Sequence, residues 1–201
     1  INKGVNPAEK PIWCEGPHLY KIDGTYYVMT AEGGTAAGHT EVIWRSDKLE
    51  GPYKPCPVNP ILTQRGLKSG VPGYVTSAGH ADLFQTPEGD WYAIFLAIIP
   101  YRDGGRDWCP TGRSTFMLPV NWIGEGETRQ PVILEAGKRI PFVEARNAEE
   151  RDAFTSEILD PMWFQIRTPT EKWYSAKTTG LELAARAQSI YERGNPSCLL
   201  R

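Results

Sequence analysis

Cysteine pairs at CxxC spacing, long apolar runs and clusters of basic residues are all missing from this sequence, and each absence closes a class of function. Cys14, Cys56, Cys109 and Cys198 are scattered, which removes zinc-ribbon and thioredoxin-type readings and leaves free thiols, expected to be buried. No apolar stretch approaches the roughly 18 residues that span a bilayer, so no membrane partner is expected. The 22 Lys and Arg against 24 Asp and Glu give a formal net charge of -2. No face gathers the basic side chains that nucleic acid requires. Helical periodicity is sparse, and only the acidic stretch 148–154 reads as a turn or two of helix. The opening Ile1-Asn2-Lys3-Gly4 has no signal-peptide pattern, which leaves the compartment open between extracellular and cytoplasmic.

What the sequence does hold is strand signal and flat rings, with 7 Trp and 9 Tyr. Short runs rich in Tyr, Trp, Val and Ile are broken every 8 to 12 residues or so by Asp-Gly, Gly-Gly, Gly-Pro or Asn-Pro. One pair of segments organises them. Leu19-Tyr20-Lys21-Ile22-Asp23-Gly24-Thr25-Tyr26-Tyr27 and Leu83-Phe84-Gln85-Thr86-Pro87-Glu88-Gly89-Asp90-Trp91-Tyr92 share Leu, aromatic, turn, Gly, aromatic and Tyr in order. Leu19 and Leu83 are 64 positions apart, and Gly24 and Gly89 are 65 apart. That period suits a four-stranded propeller blade with generous loops. Thr40 to Ser46 supplies a third strand and Gly51-Pro52-Tyr53 opens an outer one. In the second copy, Ser114 to Val120 and Gln130 to Leu134 follow. The segment before each shared Leu is then the innermost strand, whose start faces the ligand-binding axis.

Two polar residues fall at those starts, Glu15 and His80, each beside small residues: Gly16-Pro17 and Ala78-Gly79. Small neighbours let a ligand approach the backbone. A carboxyl entering a confined pocket beside Trp13 and Cys14 loses hydration, which raises its pKa and suits a general acid. On spacing alone Glu15 reads equally well as a carboxylate accepting backbone hydrogen bonds at a strand end, and for His80 a buried imidazole bonded to a loop is the better reading. Arg113, at the start of a strand after Gly112, has the fixed fork that suits paired hydroxyls, although a lone Arg is commonly a surface ion-pair partner. The glycine-rich Ala31 to His39 lacks a Gly-Lys-Ser/Thr ending and no helix follows it. It is therefore a pocket-facing loop and not a phosphate cradle.

Glu15-Gly16-Pro17-His18-Leu19-Tyr20, Ala31-Glu32-Gly33-Gly34-Thr35, Gly79-His80-Ala81-Asp82-Leu83 and Gly112-Arg113-Ser114-Thr115-Phe116 with Leu118-Pro119-Val120 together resemble glycoside hydrolase family 43. The resemblance runs from about Trp13 to the end, where Glu171-Lys172-Trp173-Tyr174 and Arg193-Gly194-Asn195-Pro196-Ser197 look like the start of the β-sandwich of its β-xylosidase branch. It implies an inverting glycosidase: one Asp activates water, a second tunes the acid, and a Glu protonates the departing oxygen. By motif position Glu15 is that acid. The same matching places His80 at the floor of the terminal-sugar subsite, Arg113 on sugar hydroxyls, and Thr35 and Cys109 on the wall toward the leaving group. No cofactor is required by this chemistry. Some relatives hold a water-coordinated structural calcium on the propeller axis near the equivalent of His80, but no carboxylate-rich calcium loop is visible here.

The expected fold is thus all-β: part of a five-bladed β-propeller over 1–145, a linker over 146–162 and the beginning of a β-sandwich over 163–201. No Asp precedes Glu15, whereas both aspartates of the triad belong upstream of it. The chain is accordingly expected to be the C-terminal part of a longer protein, to need the missing N-terminal blades as partners, and to be inactive alone. The substrate class implied is a xylo- or arabinoxylo-oligosaccharide cleaved at terminal β-xylosyl or α-L-arabinofuranosyl residues. A non-catalytic carbohydrate-binding propeller is the alternative.

Overall fold

A computed structural model describes residues 4–5, 13–109, 111–141, 152–167, 170–177 and 180–200. The chain divides into two compact units, Ile1–Glu144 and Ala145–Arg201. The described residues are all-β, with a single 3₁₀ turn at Gly126–Thr128 as their only helical element. Of the acidic stretch read as helical, residues 148–151 lie outside the described residues, and 152–154 form no helix.

In the first unit β1 (Glu15–Ile22), β2 (Thr25–Glu32), β3 (Thr40–Ser46) and β4 (Lys54–Pro55) run as a consecutive antiparallel meander. This is the order of a propeller blade. The β1–β2 turn is Asp23-Gly24, both at positive φ (49° and 83°), the backbone that a two-residue hairpin with right-handed strand twist requires. A short β5 (Leu62–Thr63) caps the start of β3. The second repeat gives β6 (Thr76–Gln85) and β7 (Trp91–Ile98), followed by a hairpin of β8 (Tyr101–Asp103) and β9 (Arg106–Trp108), then β10 (Ser114–Pro119). The sheet order β10-β7-β6 matches the order expected from the repeat.

The outer strand of the second repeat departs from that scheme. Gln130 to Val132 forms β12, but it pairs with β11 (Asn121–Ile123) and not with β10. It also docks on the end of the first blade: Gln130 accepts from the Val58 N–H at 2.8 Å and donates to the Val58 carbonyl at 2.6 Å, and the Ile133 and Leu134 amides donate to the Ile61 carbonyl. The buried Gln130 amide thus satisfies a stretch of backbone that no strand pairs, which explains a polar side chain at full burial.

Between the two sheets lies one core containing Tyr27, Met29, Ile43, Ile61, Leu62, Ala78, Ala81, Leu83, Ala93 and Phe95. Alanines on β6 and β7 let the sheets approach, and the larger side chains come from β2 and β3. The inner strands are also tied edge to edge. The Tyr20 hydroxyl donates to Asp82 at 2.5 Å and accepts from the Leu83 N–H at 2.9 Å, while His18 Nδ1 stands 3.2 Å from the same Asp82 carboxylate. These contacts fix β1, from its middle onward, against the second half of β6.

Among its described residues the second unit holds four short strands: β13 (Phe164–Gln165), β14 (Tyr174–Lys177), β15 (Gly180–Leu183) and β16 (Leu199–Leu200). β14 pairs with β15 and β13 with β16. Trp173 and Ala176 are buried, and Trp163 Nε1 donates to Asp152 Oδ2 at 2.8 Å.

Candidate active site

Strand starts and ends gather on one rim of the first unit. β1 begins there, β2 ends and β3 begins there, and β7 ends with β10 returning. Glu15 is the first residue of β1, and Gly16 after it adopts φ 56° within a break of register between Glu15 and His18. His80 lies in the middle of β6 rather than at its start. The register shifts on both sides of it, between Thr76 and Gly79 and between Gly79 and Asp82, and His80 itself has φ 57°. Bulges re-aim side chains in this way, so the imidazole reaches the rim although β6 begins four residues earlier.

The two meet. Glu15 Oε1 stands 3.9 Å from His80 Nδ1, and a Cβ built on Gly16 would lie 2.5 Å from His80 Nε2. Glycine at 16 is what leaves room for the ring. The dry pocket expected around Glu15 is not what this chain provides, since its side chain is 52% exposed. Two adjoining sheets make one wall of a cleft, not an enclosure.

Arg113 follows the turn Cys109–Gly112, in which the Gly112 N–H donates to the Cys109 carbonyl at 3.0 Å. Its guanidinium donates to Thr35 Oγ1 at 3.3 Å. Thr35 is carried by the glycine-rich loop between β2 and β3, which Arg65 clamps by donating twice to the Gly38 carbonyl, at 2.5 and 3.1 Å. A side chain at Gly33 would strike that same carbonyl and guanidinium. Cys109 is exposed, which corrects the expectation of buried thiols: Cys56 is buried, and Cys14 and Cys198 are partly so. Cys109 sits on a solvent-facing turn that follows an exposed hairpin.

Two residues that the sequence reading passed over complete the cluster. His39, at the end of the glycine-rich loop, is 1% exposed. Its Nδ1–H donates to the Ser77 carbonyl at 3.0 Å, leaving Nε2 without a hydrogen-bond partner among the described residues. Burial lowers its pKa. The Ser77 contact opposes that shift, as does the field of Glu15, while His80 and Arg113 reinforce it. Glu41 on β3 is fully buried. Burial raises its pKa to about 8 despite hydrogen bonds from the backbone of Ala81 and His80, so near neutral pH it is mainly a neutral acid. A glutamate immediately before the apolar run Val42-Ile43-Trp44 was the available signal for it, and a histidine closing a glycine loop the signal for His39.

Glu15, His39 and His80 place one ligand atom each within 4.8 Å of one another. Calcium takes roughly six to eight oxygen ligands, and two imidazoles with one carboxylate do not supply that shell. Water would have to provide the rest, and no step below passes through a metal.

Antiparallel meander sheets packed on one core, with a carboxylate, an imidazole and a guanidinium on one rim, have the blade order of a β-propeller protein. Residues 1–127 match the family model "Glycosyl hydrolases family 43", and residues 151–201 match "Beta xylosidase C-terminal Concanavalin A-like domain". The chain belongs to glycosyl hydrolase family 43, as a β-propeller segment followed by the beginning of its β-sandwich. It is 36% identical over 195 residues to a non-reducing end α-L-arabinofuranosidase of Bacteroides ovatus, covering 93% of this chain and 36% of that protein. To a xylosidase/arabinosidase of Butyrivibrio fibrisolvens it is 35% identical over 201 residues, covering 94% and 37%. Among solved structures, xylan β-1,4-xylosidase of Bacillus halodurans superimposes with a TM-score of 0.71 at 30% identity, covering 95% of this chain and 37% of that one. The chain thus spans little more than a third of the length of these relatives.

Proposed function

We propose that this chain carries the general-acid half of an inverting exo-glycosidase site that removes terminal β-xylosyl or α-L-arabinofuranosyl residues from xylan-derived oligosaccharides. The observation that carries the reading is Glu15 Oε1 at 3.9 Å from His80 Nδ1, with the Arg113–Thr35 pair on the same rim. At that distance the carboxyl is not tied up by the imidazole and can deliver its proton outward.

Glu15 donates its proton to the glycosidic oxygen as the bond from that oxygen to the anomeric carbon breaks. A water on the opposite face bonds to the anomeric carbon and gives up its proton to a carboxylate base. Inverting geometry sets that base about 6.5–9.5 Å from the acid, and the reading assigns it, with the aspartate that tunes the acid, to propeller blades outside these 201 residues. Those blades would also close over the exposed Glu15 and keep bulk water from it. His80 forms the floor under the terminal sugar, Arg113 holds paired hydroxyls with its fork, and Thr35 and Cys109 border the leaving group. The names of the relatives support both sugars, since xylose and arabinofuranose present similar hydroxyls to one small pocket.

The test is Glu15→Gln in the full-length protein. Turnover of xylobiose should fall by about a thousandfold and that of an activated aryl glycoside far less, because only the former needs a proton donor. The 201-residue chain by itself should release no xylose from either. Equal losses on both substrates would remove Glu15 from the acid role, and sugar binding without hydrolysis in the wild-type protein would make it a carbohydrate-binding propeller.

A further inference from the structure

We propose that Glu41 is a positioning residue for this site: a buried carboxyl that holds the β6 bulge and thereby sets the His80 imidazole against Gly16, beside Glu15. The inference rests on the reading of Glu15 and His80 as members of a sugar-cleaving site, and it adds a residue that does not touch the substrate.

The bulge creates a need. Gly79 pairs with Leu96 and Asp82 with Ile94 on β7, so two residues, His80 and Ala81, stand against one, Phe95. Their amides cannot both follow the ladder, and buried N–H groups must find an acceptor. Glu41 supplies it. Its Oε2 accepts from the Ala81 N–H, the residue that follows His80 in the bulge, at 3.0 Å. The contact comes from the neighbouring sheet, so it also locks the two blades at that level. His80 holds φ 57°, a left-handed conformation that a non-glycine residue keeps only where its surroundings enforce it.

Register places Glu41 where it can act on the acid through the imidazole. Ala31 pairs with Glu15 on one side and with Glu41 on the other, so the two glutamates occupy one rung, two strands apart. Partners on one rung of an antiparallel sheet share a face, and here that face meets β6. One glutamate holds the backbone at Ala81, next to His80, and the other meets the His80 ring.

Leucine at 41 keeps the volume and removes the acceptor, whereas glutamine keeps an acceptor oxygen. In the full-length protein Glu41→Leu should lower kcat/KM by about tenfold or more, and Glu41→Gln should stay within about threefold of wild type. Because Glu41 acts through His80, the Glu41→Leu, His80→Ala double variant should be no slower than His80→Ala alone, to within about twofold. Independently of activity, the His80 ring resonance should move in Glu41→Leu and hold its position in Glu41→Gln, with His18 unmoved in both. If the leucine variant fails to fold, Glu41→Asp draws the acceptor back by one methylene and should shift the same resonance. Penalties that multiply in the double variant, or a His80 resonance indifferent to the loss of the carboxyl, would overturn the proposal. Absence of hydrolysis in the wild-type protein would count against the glycosidase reading, and the resonance measurements would still decide the role of Glu41.

Discussion

Replacing Glu41 by glutamine should remove a pH dependence that the wild-type protein's stability carries. Glu41 is fully buried between the sheets, and its pKa rises from an ordinary 4.5 to about 8, chiefly through burial. The charged groups facing it do not offset this: Glu32 adds a further upward push, and the bonds from Ala81 and His80 only moderate the shift. Between those two pH values the folded protein keeps a proton that the unfolded chain has released. Unfolding therefore becomes easier as pH rises through the interval, and the loss is complete above the folded pKa. At about 1.4 kcal/mol per pH unit, the interval from 4.5 to about 8 amounts to roughly 5 kcal/mol, a large share of a typical domain's stability. Glutamine has no proton to lose, so the comparison of wild type with Glu41→Gln cancels every other titrating group. Urea denaturation followed by tryptophan fluorescence at pH 5, 6, 7, 8 and 9 should show glutamine gaining on wild type steadily up to about pH 8 and no further. A difference between the two proteins that stays constant to within about 1 kcal/mol across that range would refute the burial argument.

Gly16→Ala should be costly out of proportion to one methyl group. The new Cβ would sit 2.5 Å from His80 Nε2 at a residue with φ 56°, so about 1–3 kcal/mol of stability and most of the turnover should go together, as melting and rate assays would show. Arg113→Ala should raise KM and lower kcat/KM by about 10- to 100-fold, with Arg113→Lys recovering little, because a point charge cannot replace a planar fork. A lysine variant with wild-type kinetics would mean that the guanidinium holds no paired hydroxyls.

Strand positions were legible because their causes are local. The run Thr40 to Ser46 is a strand in the structure at those same bounds, since β-branched and aromatic residues between glycine-rich turns leave the backbone few alternatives. Ser114 to Pro119 followed for the same reason. Glu15 and His80 were found through the repeat, which placed them on equivalent inner strands. Pairing was less legible. The partner of β12 depends on where the Gln130 amide finds unpaired backbone, and that backbone lies some seventy residues earlier, at Val58. Glu41 and His39 escaped notice because a glutamate in a strand reads as a solvent-facing residue until both faces of that strand are known to be covered.

The linear order of residues determined that the described residues are β in character, that two hairpins repeat, and that a carboxyl and a guanidinium each stand at the start of a strand. These properties follow from side-chain shape and turn chemistry over a few neighbours. Only the packing of one sheet against the next decided that the ring at 80 leaves its strand through a bulge to lie beside the carboxyl at 15, and that a second carboxyl is sealed behind it holding a proton. Burial and the sharing of amides between sheets arise from residues distant in the chain meeting in space, which no local pattern encodes.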